Sequence, residues 1–433
     1  SRSQCMKIRW RVPQSEPVVI AFVGDTMPSF EDRGGIAKSE DLTGLLHSCD
    51  LVMANLESPL TTADSSKTGG SSLFSIPSSV LDLKELNISL VTLANNHIMD
   101  RGQAGLEETL DVLDKSKIAW LGAGLNSVEA AQPHVWSSTD FKMVFLSFSY
   151  EASDIVNTAG YSRAGANPLL MSDAQRKISA FKRQGYLVCV SYHGGEQFFR
   201  IPFPKRQTLF RLLAESGADI VIGHHAHVFQ GIETFDNKIV AYGLGNFLMT
   251  TPFQSIHKGT AIGLLLLIEV DAAGPLGYTA HFVYNDRKNH MLSLIHGEAE
   301  SILQKLIDSF SRSFKDQRNL IREWRRDCCR MLMSMNDVNK IHPVRRLYSA
   351  GRRGWSILKA HHEEKMTSPK GERSLYSASK NKQILEGIRG IPLMLSAPGK
   401  FTECYTAYNE VSRLLEGNND RNRHPEIGNR HGM

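Results

Sequence analysis

Five short apolar runs, each breaking off into chemically capable polar residues, constrain this chain more than any other feature. Val18-Val-Ile-Ala-Phe-Val23 runs into Gly24-Asp25, Leu51-Val-Met-Ala54 into Asn55-Leu56-Glu57, and Leu90-Val-Thr-Leu-Ala94 into Asn95-Asn96-His97. Leu187-Val-Cys-Val-Ser-Tyr192 runs into His193, and Ile220-Val-Ile222 into Gly223, His224, His225, Ala226 and His227. Continuous apolar runs of this length read as buried strands. Helical patterns lie between several of them, as where Leu106, Leu110 and Leu113 recur on one face. Strands alternating with helices predict an α/β domain. In such folds ligands collect beyond the carboxyl ends of strands, which is where these polar residues fall.

The strand ends supply Asp25, Glu57, Asn96, His97, His193, His225 and His227 from segments far apart in sequence. Carboxylate oxygen, amide oxygen and imidazole nitrogen together suit Zn, Mn or Fe, as one divalent cation or two. A carboxylate can bridge two cations, an arrangement suited to phosphoester hydrolysis. In His225-Ala226-His227 the spacing puts positions i and i+2 on the same side of an extended segment, and His224 then points elsewhere. The bland alternatives are loop histidines without metal, and strand-end caps or turn formers at Glu57 and Asn96. His134, His257, His290 and His296 join no constellation and are expected at the surface.

Several stretches together resemble the poly-γ-glutamate capsule-synthesis CapA family, a branch of the calcineurin-like metallophosphoesterases. They are Gly24-Asp25-Thr26-Met27, Ala54-Asn55-Leu56-Glu57-Ser58-Pro59-Leu60-Thr61 and Leu93-Ala-Asn-Asn-His97-Ile-Met-Asp100-Arg-Gly102. Gly217-Ala-Asp219, Gly223-His-His-Ala-His227-Val and Tyr242-Gly-Leu-Gly-Asn246-Phe247 complete the set. The resemblance spans about residues 17–250, more loosely to 290, and implies a four-layer αββα sandwich with a dinuclear metal site. It implies Asp25 and His227 on one metal, Asn96, His193 and His225 on the other, and Glu57 bridging. His97 would be the general acid, with Asp100 orienting a histidine. Asn246 stands where a group supporting the site or its substrate is expected.

Three departures qualify the match. Met27 stands where the superfamily has a histidine, so one metal loses a ligand. The usual His-Trp-Gly-x-Glu-Tyr appears as His193-Gly-Gly-Glu196-Gln197-Phe198, and Glu196 could replace the glutamate only with a shifted backbone. Arg101 replaces an aromatic residue, and its guanidinium could pair with a substrate carboxylate or phosphate.

Beyond the domain at 17–290 the pattern changes. Ile302, Leu303, Leu306, Ile307, Phe310 and Phe314, then Leu320, Ile321 and Trp324, recur at helical spacing. They open a basic, mainly helical extension over 297–415, followed by a polar tail at 416–433 expected to be disordered. Residues 301–433 carry 25 Lys+Arg against 14 Asp+Glu, whereas residues 1–300 carry 25 against 31. Such a basic surface could steer a polyanion, though a solvated helical face would look the same. No nucleic-acid module is recognised, so nucleic acid is not an expected partner. The Ser/Thr/Gly-rich stretch at 61–72 reads as a mobile surface loop.

No apolar run approaches the roughly 18 residues of a membrane span. The six cysteines show no CxxC spacing, and Cys189 reads as a small core residue. These features fit a reduced compartment and a soluble chain, cytoplasmic or otherwise, with secretion left open. The first reading is therefore a metal-dependent hydrolase cleaving a phosphoester or γ-glutamyl amide in an anionic small molecule or polymer. The alternative is a non-catalytic, polyanion-binding component of a capsule or polyglutamate synthesis machinery.

Overall fold

The computed structural model describes residues 7–29, 35–64, 72–150, 157–249, 257, 259–339, 411 and 414. Residues 65–71 of the Ser/Thr/Gly-rich loop, the tail at 416–433 and nearly all of the extension after 339 lie outside the described residues.

Each apolar run named above is a strand, and the strands form two large sheets. In the ten-stranded sheet, Val18–Met27, Leu51–Leu56, Leu90–Thr92 and Ala119–Leu121 run parallel in that order. Ile262–Asp271 pairs antiparallel on the other side of Val18–Met27, followed by Gly274–Asp286 and Met291–Leu294. Asn246–Met249 joins beside Val18–Met27, with Asn246 opposite Asp25. The six-stranded sheet has a parallel centre of Lys142–Ser149, Leu187–His193, Ile220–His224 and Lys238–Ala241.

Side chains alternate across a strand, and here both faces are apolar. Ile20, Phe22, Leu51 and Met53 share one apolar core with Met143, Phe145 and Cys189, on the face of the second sheet whose Ser147 hydroxyl meets that of Thr92 in the first. Their neighbours Ala21, Val23, Val52 and Ala54 face Leu42, Leu46, Leu83, Leu106, Leu110 and Leu113 of three helices. The outer face of the second sheet is covered by Ala174 and Ile178 of Met171–Arg183 and by Phe210, Leu213 and Ala214 of Pro204–Glu215. Helices, sheet, sheet and helices thus make four layers, the αββα order expected. Phe22 sits between the sheets and is almost wholly buried, so Phe22→Ala would cost about 3–5 kcal/mol.

The basic extension begins as the helices Gly297–Ser313 and Gln317–Asn339. Leu303, Leu306, Ile307, Phe310, Phe314, Leu320 and Trp324 are buried in the same core as the second sheet, whereas Ile321 lies exposed. Cys189 is a buried free thiol, as its apolar surroundings predict. Among the described residues, no helix is long and apolar enough to cross a membrane.

Candidate metal centre

The carboxyl ends of the parallel strands meet at one buried polar cluster. Asp25 enters it at a register shift: Phe22 pairs with Met53 and Asp25 with Asn55, so the first strand carries one residue more. A bulge of this kind re-aims a side chain. It also requires Gly24, where an added Cβ would fall 1.9 Å from the Gly245 carbonyl oxygen. Gly245 is itself left-handed at φ 72°, and its carbonyl accepts the Asp25 N–H at 2.8 Å. Glu57 follows directly on its strand and donates its N–H to Thr26. Asn95 ties the next strand end in place, donating to the Leu56 carbonyl at 2.7 Å and accepting from the N–H groups of His97 and Ile98.

The two histidines of the H-x-H element reach the cluster by a different route from strand alternation. The strand ends at His224, and His225 and His227 adopt φ values of 85° and 56°. Left-handed backbone at non-glycine residues costs about 1–3 kcal/mol each and concentrates at functional sites. His224 does not point elsewhere, as the spacing suggested. It is buried with Nδ1 3.4 Å from Asp25 Oδ1.

Two trios of donor atoms are close enough to hold a cation, and Glu57 belongs to both. Asp25, Glu57 and His227 form one; Glu57, His193 and His225 form the other. His227 Nδ1 lies 3.0 Å from Asn246 Oδ1 and 3.1 Å from Asp25 Oδ2, so it carries the ring proton. That leaves Nε2, 3.7 Å from Glu57 Oε1, as the ligand atom. In the second trio, His193 Nε2 lies 2.8 Å from Asn96 Oδ1, 3.0 Å from His225 Nδ1 and 3.5 Å from Glu57 Oε1, while Nδ1 lies 3.1 Å from the Asn55 side-chain amide. Imidazole nitrogen, amide oxygen and carboxylate oxygen gathered in this way suit a divalent cation, which His193 would hold through Nε2 with its ring proton on Nδ1. Glu57 makes the same point: it is 1% exposed and neither oxygen has a hydrogen-bond partner. The residues present therefore fit a metal pair.

Electrostatics follow from the burial. Burial pushes the Glu57 carboxyl well above its ordinary range; His227 pulls it down, and the charges of Asp25 and Asp100 push it further up. For Asp25 burial acts in the same sense, but the adjoining rings of His224 and His227, 3.4 and 3.1 Å away, hold it well below. Burial, followed by the charge of His225 at His193 and of His227 at His225, drives both rings well down against the pull of Asp25, into the neutral form that ligates metals. Burial also opposes charge on His227, but Glu57 and Asp25 raise it to about 9.

His97 lies at the half-buried edge, its Nδ1 2.8 Å from Asp100 Oδ2, and Asp100 also accepts the Leu73 N–H at 2.8 Å. Two expected site residues are not brought onto the cluster, and a third meets it in a supporting place. Arg101 lies over the Phe74 ring at 3.9 Å and donates from Nη1 to the Ala63 carbonyl, contacts that hold it beside its own loop. Glu196 makes no hydrogen bond or ion pair with a cluster member among the described residues. Asn246, expected at the substrate, is fully buried between His227 and the Thr260 carbonyl, a geometry that orients His227 instead. Conversely, Asn55 bridges Asp25 and His193, and His257 stacks at 3.7 Å on Phe198, whose ring lies 5.7 Å from His227. The signal for Asn55 was its place in a quoted motif; His257 carried none.

The bacterial capsule synthesis protein family PGA_cap matches residues 19–251, more than half of the chain. The chain belongs to that family. Among relatives of this PGA_cap protein, the PGA biosynthesis protein CapA of Bacillus subtilis is 27% identical over 240 residues, 53% of this chain and 62% of the relative. The capsule biosynthesis protein CapA of Bacillus anthracis is 27% identical over 248 residues, 54% of this chain and 60% of the relative. A probable polyglutamine synthesis accessory protein of Mycobacterium tuberculosis is 29% identical over 180 residues, covering 39% and 47%. The match thus spans about three fifths of the two CapA proteins and less of the third. A solved phosphatase from Mycoplasma pneumoniae overlaps with TM-score 0.39 at 16% identity, covering 62% of this chain and 94% of that one, too loosely to carry an argument.

Proposed function

We propose that this PGA_cap protein is a metal-dependent hydrolase in which Glu57 is shared by two divalent cations. The observation that carries the reading is the Glu57 carboxylate, buried without a hydrogen bond and common to both donor trios. A buried carboxylate without a hydrogen bond is costly, and a cation removes that cost. Asp25 and His227 would hold one ion and Asn96, His193 and His225 the other, drawn from Mn, Fe or Zn. Such ions, when bound, supply Lewis acidity toward a phosphoryl or carbonyl oxygen and make water nucleophilic near neutral pH.

The chain's own residues orient and protonate. Asn246 and Asp25 fix the His227 tautomer, as partners of metal-binding histidines commonly do. Asp100 holds His97 through Nδ1, which leaves Nε2 to donate a proton to the departing group. The names of the relatives point to poly-γ-glutamate-type polymer biosynthesis, with a phosphoester or γ-glutamyl amide as the bond cleaved.

Metal content, followed by a panel of phosphomonoesters, phosphodiesters and γ-glutamyl amides, tests the reading. One or two ions per chain and turnover abolished by His227→Ala are expected. Negligible Mn, Fe and Zn after metal addition, or unchanged turnover in the variant, would overturn it. Met27 favours a second reading, a non-catalytic component that binds an anionic polymer, because its buried thioether adds no hard ligand to the Asp25 side. Metal uptake without turnover, together with retention of poly-γ-glutamate, would decide for that reading.

A further inference from the structure

We infer that the helix Gln317–Asn339 completes the candidate site: Asp327 and Arg330 are positioning residues that hold the 198–201 turn so that the Phe198 ring closes over His227. In its functional consequence this rests on the metal-site reading above; in its geometry it does not. The family match ends at residue 251, so this device is supplied by a part of the chain beyond it.

The 198–201 turn follows His193 and carries Phe198 at φ 67°. A bulky residue persists in the left-handed region only where its surroundings over-determine it. They do so here. The Phe198 N–H donates to the Ala226 carbonyl at 2.7 Å, between the two site histidines. Its carbonyl accepts from Arg330 Nη2 at 2.7 Å, and the next carbonyl, of Phe199, accepts from the Gln230 amide at 2.8 Å. The N–H groups of Arg200 and Ile201 both donate to one carboxylate oxygen of Asp327, while Arg330 Nε pairs with the other. Asp327 is buried, so its charge is spent on these contacts. The helix therefore supplies three hydrogen bonds to the backbone of one turn, across more than a hundred residues of chain.

The turn delivers an aromatic plate. The Phe198 ring is stacked on His257 at 3.7 Å and lies 5.7 Å from the His227 ring, tilted by 34°. Of the site histidines, the Phe198 ring meets His227, a member of the first trio, whereas His193 and His225 of the second have their rings against each other at 4.7 Å. On this inference, Phe198 shields the first trio more than the second. A drier site strengthens the attraction between its carboxylates and a cation. Releasing the turn should loosen one cation and spare the other, a selectivity that general destabilisation would not produce.

The test uses the full chain, with ring signals of labelled histidines assigned by their loss in His227→Gln and His257→Gln. In metal-free protein, Asp327→Ala and Arg330→Met should shift the His227 and His257 ring signals and leave His193 in place. In a Mn titration the same variants should weaken one of two binding steps tenfold or more, with the other within twofold. Asp327→Asn, which keeps an acceptor oxygen for the turn, should restore most of the loss. Folded variants with unmoved His227 and His257 signals, or with both Mn steps weakened equally, would overturn the inference. Should the wild-type chain bind none of Mn, Fe and Zn, the hydrolase reading fails while the ring signals still decide the clamp. If Asp327→Ala does not fold, Arg330→Met and Phe198→Leu carry the same test.

Discussion

Glu57→Gln should make the metal-free protein more stable and the metal-loaded protein less so. The wild-type carboxylate is 1% exposed and both of its oxygens lack a hydrogen bond, so without a cation it is a net cost to the fold. Burial is the leading effect on its ionisation and outweighs the attraction of His227, whose Nε2 is 3.7 Å away. Leaving a buried polar group unsatisfied costs about 1–3 kcal/mol, more if charged. An uncharged amide of the same shape should recover about 1–3 kcal/mol in chelator, or about 1–2 °C in Tm for each kcal/mol at this size. With metal the order should reverse. An ion at about 100 times its Kd adds about 2.7 kcal/mol per site, and Glu57 serves both sites, so the wild type should gain roughly 5 kcal/mol where the variant gains little. Calorimetry of both proteins in chelator and in excess Mn reads both differences. A variant less stable than wild type in chelator would refute the claim that Glu57 is uncompensated. A Mn shift retained in full would refute its place between two ions.

Three further outcomes are expected. His227, raised to about 9 by Glu57 and Asp25, stabilises the metal-free fold fully below its unfolded value of about 6.5 and ceases to do so as pH rises through about 9. Because the ligand form is neutral, Mn affinity should rise across that same window with about one proton released at this trio, and pH-independent affinity in calorimetric titrations would contradict the assignment. His97→Ala should leave metal content unchanged and lower turnover about 10²–10⁴-fold, least for substrates with acidic leaving groups; an equal loss for all leaving groups would remove His97 as proton donor. Gly24→Ala should abolish soluble expression or lower stability by about 3 kcal/mol or more, since its Cβ would meet the Gly245 carbonyl oxygen at 1.9 Å, and a wild-type melting curve would show that the crossing can widen.

Much of this architecture was legible because buried strands are written as uninterrupted apolar runs, and each run here stops where its strand meets polar chemistry. Asp25, Glu57, Asn96, His193, His225 and His227 could be collected that way without any coordinates. What periodicity could not convey was aim. The i, i+2 argument for His225 and His227 named a pair that does reach the buried cluster, but for a reason the backbone does not use, since both lie past the strand end in left-handed conformations. His224 was set aside by the same argument, yet it abuts Asp25. Arg101 and Glu196 were chosen from their neighbours in sequence, and their side chains answer to other surroundings: Phe74 and Ala63 hold Arg101. His257, Asp327 and Arg330 lie in segments without a local pattern, and only tertiary packing brings them near Phe198.

The ten-stranded sheet has a consequence for how the molecule is made. The strand bearing Asp25 emerges from the ribosome early, but its neighbours on one side are Asn246–Met249 and Ile262–Asp271. Until those segments have been synthesised, Asp25 and Glu57 sit on a half-built sheet with an open, apolar edge. At about 5–20 residues per second that interval lasts on the order of ten seconds or longer. Pairings of such long range are slow to form even in the finished chain. A nascent chain of this protein should therefore depend on chaperones that shelter unpaired strands, and its metal centre should assemble after translation.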